Sequence, residues 1–172
     1  MNKALVVFFS RAGENYSVGD VATGNTERMA KVIAETTGLE TFKIEPASAY
    51  PSKYSDCTAQ ADRERRENAR PEYIGDIENW DDYDTIYFGY PIWWGDLPMV
   101  VYNFIEQHDW DGKTVIPFNT HEGSGSAGSY DKLAEKMTGA TIKDGLAIAG
   151  HDVDNSTERI SSFAKDEVPG SN

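Results

Sequence analysis

Cysteine is almost missing from this 172-residue chain: Cys57 stands alone. No disulfide can close within the chain, and no Cys/His cluster has metal-site spacing. Cys57 sits in a polar stretch with no histidine nearby, which argues against a catalytic thiol. Histidine is nearly as scarce, with three residues. Basic residues are outnumbered, 16 Lys and Arg against 29 Asp and Glu, for a formal net charge of −13. So acidic a surface repels nucleic acid and anionic membranes and attracts basic protein surfaces. Long hydrophobic runs are missing too. The apolar opening, Met1 to Phe9, stops at Ser10-Arg11 without the length or the small-residue cleavage site of a signal peptide, and no stretch could span a bilayer. The expectation is a cytoplasmic, reducing setting. There is no GxxxxGK[ST] and no GxGxxG, which disfavours a nucleoside triphosphate and a Rossmann dinucleotide site.

What is present suits one packed domain over residues 1–172, with 39% hydrophobic residues and no internal repeat or linker. Ala4 to Phe9 is continuously apolar, the pattern of a strand buried on both faces of a parallel sheet. Thr26 to Glu35 has helical spacing through Met29, Val32 and Ile33, with Gly38 as its stop. Leu39 to Ile44 reads as a second strand. Lys53 to Arg70 reads as a weakly amphipathic, solvated helix with Tyr54, Cys57 and Ala61 inward. Asp84 to Tyr90, Lys113 to Phe118 and Ile142 to Ile148 read as strands three to five. Pro98 to Gln107 and the segment from Tyr130 to Met137 read as helices between them. Asn155 followed by Glu158 resembles a capping box opening a last helix. Strands alternating with helices imply a doubly wound parallel sheet with helices on both faces, and a ligand site at the strands' carboxyl ends.

Three loops at those ends stand out. After strand one, Gly24-Asn25-Thr26 meets a helix N-terminus, where unpaired N–H groups and the helix dipole suit a phosphate. Taken alone, that tripeptide is more often just a helix cap. After strand three comes Tyr90-Pro91-Ile92-Trp93-Trp94-Gly95-Asp96. Two adjacent tryptophans need something flat and apolar, either the core, a partner subunit or an aromatic ligand ring. After strand four, Asn119 to Gly125 offers glycine N–H groups for close approach, and His121 either bonds a ligand or faces water.

These motifs jointly resemble the flavodoxin family. Ser10-Arg11-Ala12 with Gly24-Asn25-Thr26 is similar to its phosphate loop, and Tyr90 to Gly95 to the flavin-stacking loop of a subgroup. Thr120-His121-Glu122-Gly123-Ser124-Gly125 resembles that subgroup's second flavin loop. The likeness runs from about Lys3 to Gly150. One departure is the insertion of Gly13 to Thr23 within the phosphate loop, which leaves the roles of Arg11, Ala12 and Tyr16 open. Gly13-Glu14-Asn15 imitates the motif, but the helix begins after Gly24.

The resemblance implies a five-stranded sheet of order 2-1-3-4-5 and a tightly held flavin mononucleotide (FMN). Flavodoxins themselves exemplify that order, so it comes with the resemblance, whereas the element pattern alone leaves the order open. The resemblance also implies that Ser10, Asn25 and Thr26 hold the phosphate and that Trp93 or Trp94 stacks on the flavin within Pro91, Ile92, Trp93, Trp94 and Gly95. Gly95 would let its neighbouring peptide turn toward flavin N5. Thr120, His121, Glu122, Gly123 and Ser124 would bind the cofactor, with Glu122 to Ser124 donating backbone N–H groups near the pyrimidine edge. The implied function is low-potential, one-electron transfer between redox partners with basic surfaces, by a monomer. The alternative is a nicotinamide-dependent quinone, nitro or flavin reductase on the same fold. A flavin-free receiver domain would need clustered acids after strand one and an Asp after strand three; Ser10-Arg11 and Tyr90-Pro91 stand there instead.

Overall fold

Strand β1, Ala4–Phe8, turns Val6 and Phe8 to one face of the sheet and Leu5 and Val7 to the other, and all four are buried. That is why its sequence lacks polar alternation. The computed structural model describes residues 3–15, 19–21 and 23–167. Helix α1 spans Asn25–Thr37 and β2 Thr41–Lys43; α2 spans Tyr54–Glu67 and β3 Thr85–Pro91. Next come α3, Met99–Glu106, and β4, Thr114–His121. The chain closes with α4, Ser129–Lys136, β5, Leu146–Ala149, and α5, Thr157–Glu167. The strands lie in the order β2-β1-β3-β4-β5, with every pairing parallel. This is the expected flavodoxin-like order 2-1-3-4-5.

Two apolar layers sandwich the sheet. Met29, Ala30 and Ile33 of α1 and Ile160 and Ala164 of α5 pack with Val6, Phe8, Tyr87, Ile116 and Ile148. On the other face, Val101, Phe104 and Ile105 of α3 and Leu133 of α4 pack with Leu5, Val7, Ile86, Phe88 and Val115. Lys113 is buried in this second layer, its ammonium donating to the carbonyls of Trp80 and Tyr83. Helix α1 ends as expected at Gly38, in the left-handed region with φ 72°.

Several boundaries differ from the sequence reading. Strand β4 continues to His121, so Asn119, Thr120 and His121 belong to the sheet. The fifth strand is split: Thr141–Ile142 pairs with the start of β4, and β5 pairs with its end. Lys143 N–H still donates to the Val115 carbonyl at 2.8 Å. The alternation along β4 therefore turns Pro117, which has no N–H, toward the break. The capping box does not form at Asn155, which ends a 3-10 turn over Gly150–Asn155. Helix α5 instead takes its first bond from Ile160 N–H to the Ser156 carbonyl. Helix α2 ends at Asn68, with φ 51°, before Pro71 is reached.

Gly89, in the middle of β3, is forced by its neighbour. Its register partner is Phe118, and a Cβ on Gly89 would lie 2.2 Å from that ring. Gly89→Ala is expected to destabilise the fold by about 1–3 kcal/mol through overpacking. Denaturant titration would read this as a lower midpoint at unchanged slope.

Candidate functional site

A cavity of about 420 Å³ opens at the carboxyl ends of β1, β3 and β4. One wall is the inner stripe of α2: Tyr54, Cys57, Thr58 and Ala61. Facing it are Pro91, Ile92, Trp93 and Trp94 from the end of β3 and its turn. Arg11, Asn25, Thr120, His121 and Glu122 complete the lining. Cys57 and Ala61 are buried yet belong to neither apolar layer, because the stripe that carries them faces the cavity. Burial pushes the Cys57 thiol above its ordinary value, which keeps it protonated and weakly nucleophilic.

The entry to α1 is built by close approach. A Cβ on Gly24 would lie 2.2 Å from Ser10 Oγ and 2.6 Å from the Arg11 carbonyl oxygen, so only glycine fits. Gly24 brings no capping side chain; Ser10 Oγ, just past β1, takes that part, accepting the Glu27 N–H at 3.0 Å. Thr26 Oγ1 and Thr120 Oγ1, both buried, are 2.8 Å apart and tie α1 to β4. Asn25 Oδ1 accepts from Arg28 Nη2, and Arg28 Nη1 meets Asp154 at 2.6 Å. Arg11 reaches the other way, donating to the Pro51 carbonyl at 2.7 Å and the Ser52 carbonyl at 2.6 Å. The insertion forms a short antiparallel pair, Gly13–Asn15 with Gly19–Val21. Tyr16 lies outside the described residues.

The tryptophan turn is a two-residue hairpin. Trp93 N–H donates to the Asp96 carbonyl at 2.8 Å, and Asp96 N–H returns a bond at 3.0 Å. Trp94 and Gly95 between them have φ of 53° and 70°. Positive φ at both central positions is type I′ geometry, easy for glycine and strained for a bulky side chain. Asp96 holds the turn with one carboxylate oxygen, which accepts from Leu97 N–H at 2.7 Å, Tyr102 OH at 2.6 Å and Lys132 Nζ at 3.0 Å. The two indoles part company. Trp93 packs edge-on against Phe9 and Tyr50, with centroids 5.3 and 5.0 Å away. Trp94 is 55% exposed, and its Nε1 donates to the Thr58 carbonyl of α2 at 3.0 Å.

Asn119, fully buried, braces the loop after β4. Its Nδ2 donates to the Gly125 carbonyl at 3.0 Å, and its Oδ1 accepts from Tyr130 OH at 2.7 Å. His121 Nδ1 accepts the Gly123 N–H at 2.9 Å. Burial holds this imidazole below its ordinary value, so the neutral ring carries its proton on Nε2. Glu122 Oε2 accepts from His151 Nδ1 at 3.1 Å, and that bond, with the nearby Asp152 charge, raises His151 above the usual imidazole value. Glu122 Oε1 is buried with no partner among the described residues.

Of the residues singled out in the sequence, the cavity gathers Arg11, Asn25, Pro91, Ile92, Trp93, Trp94, Thr120, His121 and Glu122. Ser10 and Thr26 are buried behind it, and Ala12, Gly95, Gly123 and Ser124 are exposed around its rim loops. Sequence reasoning missed Tyr54, Thr58, Asp96 and Asn119. The signal for the first two was the inner stripe of α2, whose small residues suit a wall beside open space better than a core contact. Among the described residues no cluster of three or more His, Cys, Asp or Glu could hold a metal, and no helix is long and apolar enough to cross a membrane.

No curated protein matches this sequence. The solved structures do. A protein of Bacteroides uniformis ATCC 8492, inferred to be a flavoprotein, is 31% identical, with TM-score 0.74 over 92% of this chain and 97% of its own. A flavoprotein of Lactobacillus acidophilus NCFM in complex with FMN is 20% identical, with TM-score 0.67 over 90% of this chain and 98% of its own. An archaeal flavodoxin, 18% identical, has TM-score 0.59 over 95% of this chain and 94% of its own. The likeness at these lower identities concerns the fold alone. The family model described as flavodoxin matches residues 3–162, so the chain belongs to the flavodoxin family, whose fold supports flavin binding and electron transfer in general.

Proposed function

We propose that this protein holds FMN without a covalent bond in the cavity beside α2 and acts as a cytoplasmic, low-potential, one-electron carrier for basic-surfaced partners. Trp94 is the observation that carries the reading. A bulky aromatic held at positive φ and 55% exposed on the rim of a cavity is of no use to the core. Strain of this kind persists where function needs the geometry. The residues also fit the group by other measures. The α1 N-terminus lies at one end of the cavity, with Asn25 in its lining and Ser10 and Thr26 beside it. At another point Glu122 presents a buried acceptor that has no protein donor among the described residues.

When bound, FMN supplies the redox chemistry. The chain supplies position and field. N–H groups of the first turn of α1 would hold the phosphate, with the Ser10 and Thr26 hydroxyls fixing that turn from behind, and the helix dipole would favour its charge. Trp94 offers its ring face, since Trp93 is committed edge-on to Phe9 and Tyr50. Gly95 leaves the adjacent peptide free of Cβ crowding, with nothing within 4 Å of where one would stand. Neutral His121 adds an uncharged donor. The formal charge of −13 opposes further negative charge on a reduced cofactor, which lowers the potential of the second electron.

Four measurements test this. Trp94→Gly is expected to leave the apoprotein folded, relief of the positive φ offsetting loss of the Thr58 bond, while FMN binding weakens about tenfold or more. Unchanged affinity by fluorescence quenching would remove Trp94 from the site. Thr26→Ala should weaken FMN more than riboflavin, which lacks the phosphate; equal losses would take the phosphate away from α1. In anaerobic titration, raising the salt should raise the second potential as the exposed field is screened. In the same vessel, bleaching by NADPH without a separate reductase would replace the carrier with a reductase.

A further inference from the structure

Arg11 belongs to the motif that resembles a phosphate loop, yet its guanidinium is engaged by the segment that leads into α2. Resting on the reading of the cavity as a flavin site, we infer that Arg11 is a positioning residue. With the inserted segment that follows it, Arg11 braces the start of α2 and so holds the cavity wall that α2 provides, instead of holding the phosphate.

Arg11 Nη2 donates to the carbonyls of Pro51 at 2.7 Å and Ser52 at 2.6 Å, and Nε also donates to Pro51, at 3.2 Å. A planar fork laid over two successive carbonyls fixes the course of the backbone just ahead of the helix. No side chain caps α2 from within, since Lys53 at its N-cap makes no such bond. The helix dipole does not account for the contact. A cation at a helix's start faces the wrong end of the dipole, so the hydrogen bonds are what hold Arg11 there. The insertion adds a second contact. Gly13, at φ 97°, lies against Ser52, and a Cβ on it would stand 2.9 Å from the Ser52 carbonyl oxygen. The strand Gly13–Asn15 packs on α2.

Helix α2 depends on this brace because the core supplies little. Of its 14 residues only Cys57 and Ala61 are buried, and both line the cavity. A helix with so few apolar contacts belongs to the part of a fold that opens most easily. Trp94 holds it one turn further on, through the Thr58 carbonyl. Loosening the entry would therefore shift the wall that faces the ligand's ring. A flavin would lose the same contact whether or not it carries a phosphate.

The test compares FMN with riboflavin by fluorescence quenching. It also reads α2 directly, through the rate at which iodoacetamide alkylates Cys57, the sole cysteine, in protein without flavin. The variants are Arg11→Met, Arg11→Lys and Gly13→Ala, each checked for an intact thermal transition. All three should weaken FMN and riboflavin by the same factor, about fivefold or more. All three should also speed alkylation about fivefold or more. Arg11→Lys is the decisive variant, because it keeps the charge that a phosphate would feel and loses the fork. Gly89→Ala is the control: it lowers global stability through Phe118, away from α2, and should leave the alkylation rate as in wild type. FMN weakened with riboflavin unchanged would make Arg11 a phosphate ligand. Unchanged alkylation in the Arg11 variants would mean that α2 stays in place without the brace. Faster alkylation in Gly89→Ala as well would mean that Cys57 is reached by global unfolding. Each of these results overturns the inference while the flavin site stands. Wild type binding neither flavin would instead remove the flavin site, and the alkylation rates would then decide alone whether Arg11 holds α2.

Discussion

Strand β1 is hydrogen-bonded to β2 on one edge and to β3 on the other. The chain leaves β1 through α1, which packs on α5 over one face, and approaches β3 through α2, which packs on α3 over the opposite face. Two parallel crossovers that part on either side of one strand leave a crevice beyond its carboxyl end. What this protein does with that crevice follows from what spans it. Arg11, just past β1, reaches to Pro51 and Ser52 ahead of α2, and Trp94, just past β3, reaches to Thr58 within α2. Helix α2 is thus held by strand-end groups on both sides while its stripe stands off the core.

The rim of the crevice divides labour between adjacent residues. Trp93 adds to the aromatic layer with Phe9 and Tyr50, and Trp94 adds little to the folded core. Ser10 and Thr26 show a similar division. Their hydroxyls secure α1 against β1 and β4, which fixes where the helix dipole points. Asp96 and Asn119 make no part of the lining, yet the turn and the loop keep their shape through the three donors on Asp96 and the two bonds of Asn119. The lining is precise because its supports are polar groups already satisfied within the protein.

Much of this was legible in the residues, for reasons that also explain what was not. Ala4 to Phe9 announces a buried parallel strand because burial on both faces removes alternation, and Gly38 announces a helix stop because few residues tolerate its φ. The end of β4 was hidden: Asn119, Thr120 and His121 are polar, and only their long-range partners, Gly125, Tyr130 and Thr26, make them tolerable in a sheet. The split fifth strand depends on Pro117 in a neighbouring strand, which no local window contains. The stripe of α2 was visible as a pattern, but whether small residues face a core or a cavity is decided by Arg11 and Trp94, tens of residues away. The family resemblance supplied the strand order and the expectation of FMN; local physics alone reached only a doubly wound sheet.

Charge explains how so acidic a chain would receive the phosphorylated cofactor proposed for it. The attraction is local and directional: unpaired amides at the start of α1 act over a few ångströms, where the dipole is strongest. The repulsion is diffuse, because the excess of acidic residues is largely solvated and screened beyond about 8 Å at physiological salt. Arg28 does little to reverse it, since it is matched by Asp154. On the proposed reading, binding would draw on the near field, and redox tuning on the far one. A protein built this way would hold an anion and still make its further reduction unfavourable, which is the property the proposed low-potential carrier needs.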